Sequence, residues 1–221
     1  MRVAPAARSR AKRLFDLACA ATAGIVVLPV ALLAGLAVWL SMGPPVLFRQ
    51  ARAGIGGRIF ILYKFRTMTE ARDLAGDLTA SAERLTPLGR FLRATCIDEL
   101  PQLANILRGE MSLVGPRPLL PEYVARYTPE QARRLEVRPG LTGWAQVNGR
   151  NALSWEEKFR LDVWYVDNWS LALDLRIVLA TLPKVLSREG VSAPGYETMP
   201  EFMGSHAEPS KLESPDRTSK G

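Results

Sequence analysis

Residues Leu17–Met42 read LACAATAGIVVLPVALLAGLAVWLSM, and the uncharged stretch continues to Phe48. The run is apolar on every helical face, so it belongs in lipid or in a deep core. As a single helix it would be roughly 39 Å long, against ~30 Å for a bilayer's hydrocarbon core. It is too long for the apolar part of a signal peptide, and Ser41-Met42-Gly43-Pro44-Pro45 is a poor cleavage site. A spanning helix and a re-entrant one remain. Arg2, Arg8, Arg10, Lys12 and Arg13 precede the run; Arg49, Arg52, Arg58, Lys64 and Arg66 follow it. Basic flanks stay cytoplasmic, which one span cannot satisfy for both ends and a hairpin can. Pro29 stands near the middle. It removes a helix hydrogen bond and kinks the axis, leaving two arms of roughly 18–20 Å, each too short to cross. Charge and Pro29 favour the re-entrant form over a tilted span that tolerates its proline.

Outward from this segment, the chain has 221 residues, 29 Lys and Arg against 22 Asp and Glu, and a formal charge of +7. The composition excludes fully disordered, collagen-like and disulfide-scaffold classes. Two cysteines and a single histidine, His206, leave no Cys/His zinc site and argue against histidine catalysis. Carboxylates, arginines and backbone amides remain. The expected fold class is α+β, mainly helical. Three regions are expected: residues 1–45 as basic N-terminus and re-entrant helix, 46–203 as a catalytic domain with short strands and interfacial amphipathic helices, and 204–221 as a disordered polar tail.

Residues 46–68 read as two short strands around the turn Ala53-Gly54-Ile55-Gly56-Gly57. Residues 70–85 read as a charged, mobile surface segment, and Thr86 to Ala94 as a short helix carrying Arg90 and Arg93. Leu100, Leu103, Ile106 and Leu107 predict a helix over Glu99–Arg108, ended by Gly109. Met111–Val114 is a short apolar run broken by Gly115-Pro116-Arg117-Pro118, Pro129–Glu136 reads as helix, and 138–143 reads as a loop. Trp155–Asn168 and Leu171–Ser187 read as amphipathic helices, the second kinked at Pro183. Trp155, Phe159, Trp164, Tyr165 and Trp169 suit core and headgroup level.

Asp98 and Glu99 open the predicted Glu99–Arg108 helix. One reading is structural: Asp98 caps the first-turn amides and Glu99 favours the dipole. The other uses the same geometry. Helix-start amides attract phosphate and lower a carboxylate's pKa, and an ionised carboxylate needs no histidine to act as a nucleophile. Lys64, Arg66, Arg93, Arg117, Arg138 and Arg150 supply charge; several stand in Gly/Pro-stiffened turns, and a fixed guanidinium fork suits phosphate. The glycines at 54–57 form neither a P-loop nor a dinucleotide fingerprint. Cys96 suits a small buried position, and Cys19 should be inert.

Taken in order, Lys12-Arg13-Leu14-Phe15-Asp16, Tyr63-Lys64-Phe65-Arg66-Thr67-Met68, Asp98-Glu99-Leu100-Pro101-Gln102-Leu103, Met111 to Pro118 and Arg138 to Asn151 resemble the bacterial sugar transferase family, the small monotopic phosphoglycosyl transferases. The resemblance covers about residues 8–204. It implies an enzyme at the cytoplasmic face of the bacterial inner membrane that moves a sugar 1-phosphate from a UDP-sugar to polyprenyl phosphate, with Mg2+. It makes Asp98 the nucleophile that expels UMP and Glu99 its partner at the acceptor or metal. Lys64, Arg66, Arg93 and Arg117, with Arg138 and Arg150, become phosphate and sugar contacts. Residues 190–204 resemble the branch handling diacetamido sugars. Anionic lipid headgroups are the expected surface, and a homodimer is admitted.

Three rivals explain parts of this pattern. A nucleic-acid binder accounts for the charge, but the basic residues do not form one stripe and no reading-head motif occurs. A membrane scaffold accounts for the apolar segment. A glycosyltransferase moving the sugar without its phosphate would release UDP.

Overall fold

The computed structural model describes residues 4–70, 81–149, 152–186 and 201–204. Arg150, most of the expected mobile segment at 70–85, residues 190–200 and all but the first residue of the expected tail lie outside them. A short helix α1 (Pro5–Arg8) leads into α2 (Arg10–Met42), which Ser9 caps through its side chain. The antiparallel hairpin β1 (Leu47–Ala53) and β2 (Ile59–Phe65) follows as expected. Then come α3 (Ser81–Arg84), α4 (Pro87–Ala94), α5 (Gln102–Arg108), β3 (Ser112–Val114) and α6 (Pro129–Ala132). The chain continues through β4 (Gly140–Thr142), α7 (Trp144–Val147), α8 (Trp155–Asn168) and α9 (Leu171–Leu186).

α2 runs through Pro29 as one helix, so the division into two short arms expected there is not seen. Apolar all round, it is nevertheless two-faced, by size rather than polarity. Ala20, Ala23 and Val27 pack against Phe60, Leu62, Leu103 and Ile106, while Ala31, Ala34 and Val38 pack against Phe65 and Leu92. These small residues recur at helical spacing and let the backbone approach the domain closely. Ile25, Val26, Leu28, Leu32, Leu33, Leu36 and Leu40 point outward, Ile25 at 76% exposure. Such an outer stripe suits lipid contact.

A buried polar network ties the start of α2 to the domain. Lys12 Nζ donates to Asp174 Oδ2 at 2.7 Å and to the Val114 carbonyl at 3.0 Å. Asp16 Oδ1 accepts from Ser112 Oγ and the Leu113 amide. Tyr165 and Trp169 complete the shell around Asp174. At the far end, Arg66 donates to the Met42, Gly43 and Pro44 carbonyls. A cation on terminal carbonyls satisfies orphan acceptors and complements the helix dipole. Both ends of α2 therefore rest on the same domain.

Three sequence expectations need correction. Residues 138–143 are not only a loop: Gly140–Thr142 pairs in parallel with Ser112–Val114, with Ser112 opposite Gly140 and Val114 opposite Thr142. Three residues at each position carry too little periodicity to announce a strand. The helix expected over Glu99–Arg108 starts later, at Gln102. Ile97–Glu99 forms a 3-10 turn entered through Cys96 at φ +55°, so Asp98 does not cap α5. Cys96 is part-buried rather than buried.

Candidate active site

Hairpin register and one tight turn assemble the site. Along β2, Phe60, Leu62 and Lys64 share a face, since strand side chains alternate. Phe60 and Leu62 are buried against α5, and Lys64 continues that row to the rim, where Nζ meets Glu99 Oε1 at 2.6 Å. Arg117 Nη2 reaches the same oxygen at 2.9 Å. The turn at Cys96 brings Asp98 beside this pair, only 6% exposed. Arg93 approaches from α4, with Nε on Thr67 Oγ1 at 3.0 Å. That approach depends on Gly89, where a Cβ would fall 1.9 Å from the Thr67 carbonyl oxygen.

The segment bearing Arg117 is held at four successive carbonyls. Pro116 O accepts from the Gly140 amide at 2.9 Å and Arg117 O from Arg134 Nη2 at 2.7 Å. Pro118 O accepts from Arg52 Nη1 at 3.4 Å and Leu119 O from the Ala53 amide at 3.0 Å. Arg134 is itself buried and paired with Asp162 through Nε at 3.0 Å and Nη2 at 2.8 Å. Gly115 closes the base: a Cβ there would lie 2.4 Å from the Arg138 carbonyl oxygen. The backbone of Gly115-Pro116-Arg117-Pro118 is thus held by long-range hydrogen bonds as well as by its prolines.

The two carboxylates are shifted in opposite directions. Burial pushes Glu99 up, but the charges of Lys64 and Arg117, with their hydrogen bonds, overcome it and hold the group well below the usual range. Burial dominates at Asp98 and pushes it up to about 6; Lys64 opposes, Glu99 adds to the rise, and Arg117 and Arg93 oppose. This corrects the expectation of a dipole-lowered Asp98. The 3-10 turn offers no long helix dipole, and desolvation outweighs the nearby cations.

The expected phosphate contacts divide. Lys64, Arg93 and Arg117 converge on the carboxylates. Arg66 instead caps α2, bordering an open cleft of about 270 Å3 lined by Met42, Pro44, Pro45, Thr69 and Glu70. Arg138 Nε donates to the Gly109 carbonyl, at the end of α5 away from Asp98. Arg13 holds the neighbouring Ile106 and Leu107 carbonyls. Arg52 and Lys158 lie within electrostatic reach of Arg117, although no motif marks them. The hairpin register could have flagged Arg52, which shares the Lys64 face. Among the described residues no cluster of three or more His, Cys, Asp or Glu could hold a metal. Asp98 and Glu99 still fit Mg2+, which commonly takes one or two carboxylates and completes its shell with water and substrate phosphate.

A carboxylate pair ringed by cations stands beside a helix with an apolar outer stripe, an arrangement suited to chemistry on phosphate anions. The chain belongs to the bacterial sugar transferase family, whose model matches residues 7–188, and it is a phosphoglycosyl transferase. It is 55% identical over 199 residues to an uncharacterized sugar transferase, EpsL, of Bacillus subtilis (strain 168), covering 88% of this chain and 96% of that protein. It is 45% identical over 189 residues to a UDP-glucose:undecaprenyl-phosphate glucose-1-phosphate transferase of Caulobacter vibrioides, covering 80% and 70%. An undecaprenyl-phosphate galactose phosphotransferase of Salmonella typhimurium is 38% identical over 199 residues, covering 81% of this chain and 41% of that one.

Proposed function

We propose that this protein transfers a sugar 1-phosphate from a UDP-sugar to undecaprenyl phosphate, through a phosphosugar on Asp98. The observation that carries the reading is the division of labour between adjacent carboxylates: Glu99 is locked to Lys64 and Arg117, while Asp98 is held near neutral pKa beside them. The relatives named for undecaprenyl-phosphate sugar phosphotransfer support the two substrates.

In the first half-reaction an Asp98 oxygen attacks the sugar-side phosphorus of the donor. The bond to the bridging oxygen breaks, and UMP leaves with that electron pair. In the second, a phosphate oxygen of the acceptor attacks the same phosphorus and the Asp98 carboxylate is regenerated. Lys64, Arg117 and Arg93, the cations acting on Asp98, would neutralise charge that develops on the equatorial oxygens, and positioning with charge neutralisation dominates such transfers. Asp98 and Glu99 would hold Mg2+, which when bound supplies further neutralisation of the diphosphate.

The site is proposed to face the cytoplasmic surface of the bacterial inner membrane, with α2 entering the bilayer as one helix whose two ends stay on that side. Support comes from the contacts of α2: Lys12 at its start and Met42 at its end both bond the same domain. A straight crossing would carry one end roughly 30 Å away from that domain. The outward leucines of α9, Leu171, Leu175, Leu179 and Leu182, extend the apolar surface. The donor sugar is proposed to be an N-acetylated amino or diacetamido hexose.

Nucleotide release from a panel of UDP-sugars, with undecaprenyl phosphate and Mg2+, tests this reading. UMP from the wild type and none from Asp98→Asn is the expected result. UDP release would replace it with a glycosyltransferase, and a preference for UDP-glucose or UDP-galactose would overturn the sugar assignment alone.

A further inference from the structure

Asn105 stands in the middle of α5 among Leu103, Ile106 and Leu107, and it is completely buried. Asparagine is a poor helix-interior residue, and a buried carboxamide is costly unless its polar atoms are paired. Here they are. Nδ2 donates to the Ile61 carbonyl and to Glu110 Oε2, each at 2.7 Å, and Oδ1 accepts from the Tyr63 amide at 3.3 Å. We propose that Asn105 is a positioning residue: it fixes β2 in register on α5 and thereby sets the contact between Lys64 and Glu99.

Among the described residues the hairpin is a two-stranded sheet, so the edge of β2 away from β1 has no strand to pair with. A residue of a parallel neighbour would bond the carbonyl and the amide of two residues flanking its partner. Ile61 and Tyr63 have that spacing, and the Asn105 carboxamide, a donor and an acceptor side by side, takes the place of the missing strand. The next residue along β2 is Lys64. On the other side, the turn bearing Glu99 runs into α5 without a break. The Leu100 amide donates to the Ile97 carbonyl, Leu103 to Leu100, and Ala104 to Pro101. Asn105 therefore joins the two pieces of backbone whose side chains meet at 2.6 Å. Phe60 and Leu62 also press the hairpin onto Leu103 and Ile106, but apolar burial is non-directional and tolerates sliding. A slide of one residue moves a strand about 3.3 Å, enough to carry Lys64 away from Glu99. The Asn105 bonds are directional and resist it.

The proposal deepens the transferase reading and rests on it for turnover alone. Acylation of Lys64 by a soluble N-hydroxysuccinimide ester, on the full chain in detergent and read by peptide mass spectrometry, needs no turnover. Asn105→Ala should speed labelling of Lys64 about threefold or more, because the amine is no longer held on Glu99. Tyr165→Phe removes a buried hydrogen bond to Asp174 instead and should label at the wild-type rate. In steady-state assays Asn105→Ala should lower kcat/KM about 10- to 100-fold, mostly through kcat, as a misplaced group does. In a Lys64→Ala background the same change should cost less than about threefold, since no Lys64 is left to misplace. Asn105→Asp, the same in shape but with an oxygen in place of its two donors, runs both experiments if the alanine variant does not fold. Equal losses in the two backgrounds, or unchanged Lys64 labelling, would overturn the positioning role while leaving the transferase reading intact. Faster labelling in the variant with no UMP from the wild type would do the reverse.

Discussion

Lys64 and Glu99, thirty-five residues apart, meet at 2.6 Å, and Arg117 shares the same carboxylate oxygen at 2.9 Å. Glu99 therefore stays ionised at every working pH, and the fork of Arg117 is anchored from its front as well as its backbone.

Removing Lys64 should loosen both. In Lys64→Ala, Glu99 keeps one cation and Asp98 loses the strongest charge opposing its protonation. UMP release should fall about 10²- to 10³-fold, as for loss of a preorganised electrostatic group. Single-turnover rates check this, with a circular dichroism melt to confirm that the fold is intact.

Asp98 should titrate near pH 6. kcat/KM should rise with pH through that value and level off above it, because the nucleophile must be ionised. Stability runs the opposite way. The unfolded carboxyl ionises near pH 4 and the folded one near pH 6, so folding loses ground progressively between them and carries the full cost above. Asp98→Asn should match the wild type below pH 4 and be more stable by about 1–3 kcal/mol at pH 8, read from melts in EDTA.

Lys12→Met should strand Asp174, buried with Tyr165 and Trp169, and cost about 3–5 kcal/mol. Adding Asp174→Leu should recover much of that loss, since a buried pair costs more to break than to replace. Thermal unfolding of the three variants in detergent tests the pair.

Gly115→Ala would press a methyl group against the Arg138 carbonyl and the Gly140 amide, at 2.4 and 3.0 Å. The parallel β3–β4 junction must shift, costing about 1–3 kcal/mol and moving Arg117. Activity should fall further than stability alone explains, which a denaturant titration beside the assay would reveal.

The topology of α2 is open to labelling. Single cysteines at Arg10→Cys and Arg49→Cys, with Cys19 and Cys96 replaced, should both react with an impermeant maleimide in inside-out vesicles and neither in right-side-out ones. Opposite reactivity would mean a crossing helix.

Much of this molecule was legible in advance. The uncharged run from Leu17 marked α2, the glycines at 54–57 marked the hairpin, and Thr86 and Gly109 marked helix boundaries. The carboxylate pair and the Lys64 and Arg117 motifs stood out by residue type and order. The β4 strand did not, because three residues that pair across the chain leave no period of their own.

Sequence alone thus marked most of the elements, the family resemblance and the residues able to do the chemistry, since these depend on side-chain type and on neighbours a few positions away. Tertiary structure decided which of many similar cations serve the carboxylates. Arg66 and Arg138 stand in motifs yet cap helices, while Arg52, counted only as a flanking charge, lies beside Arg117. It also reversed the expected shift of Asp98, because desolvation and Coulomb energy depend on burial and through-space distance, which chain order does not encode.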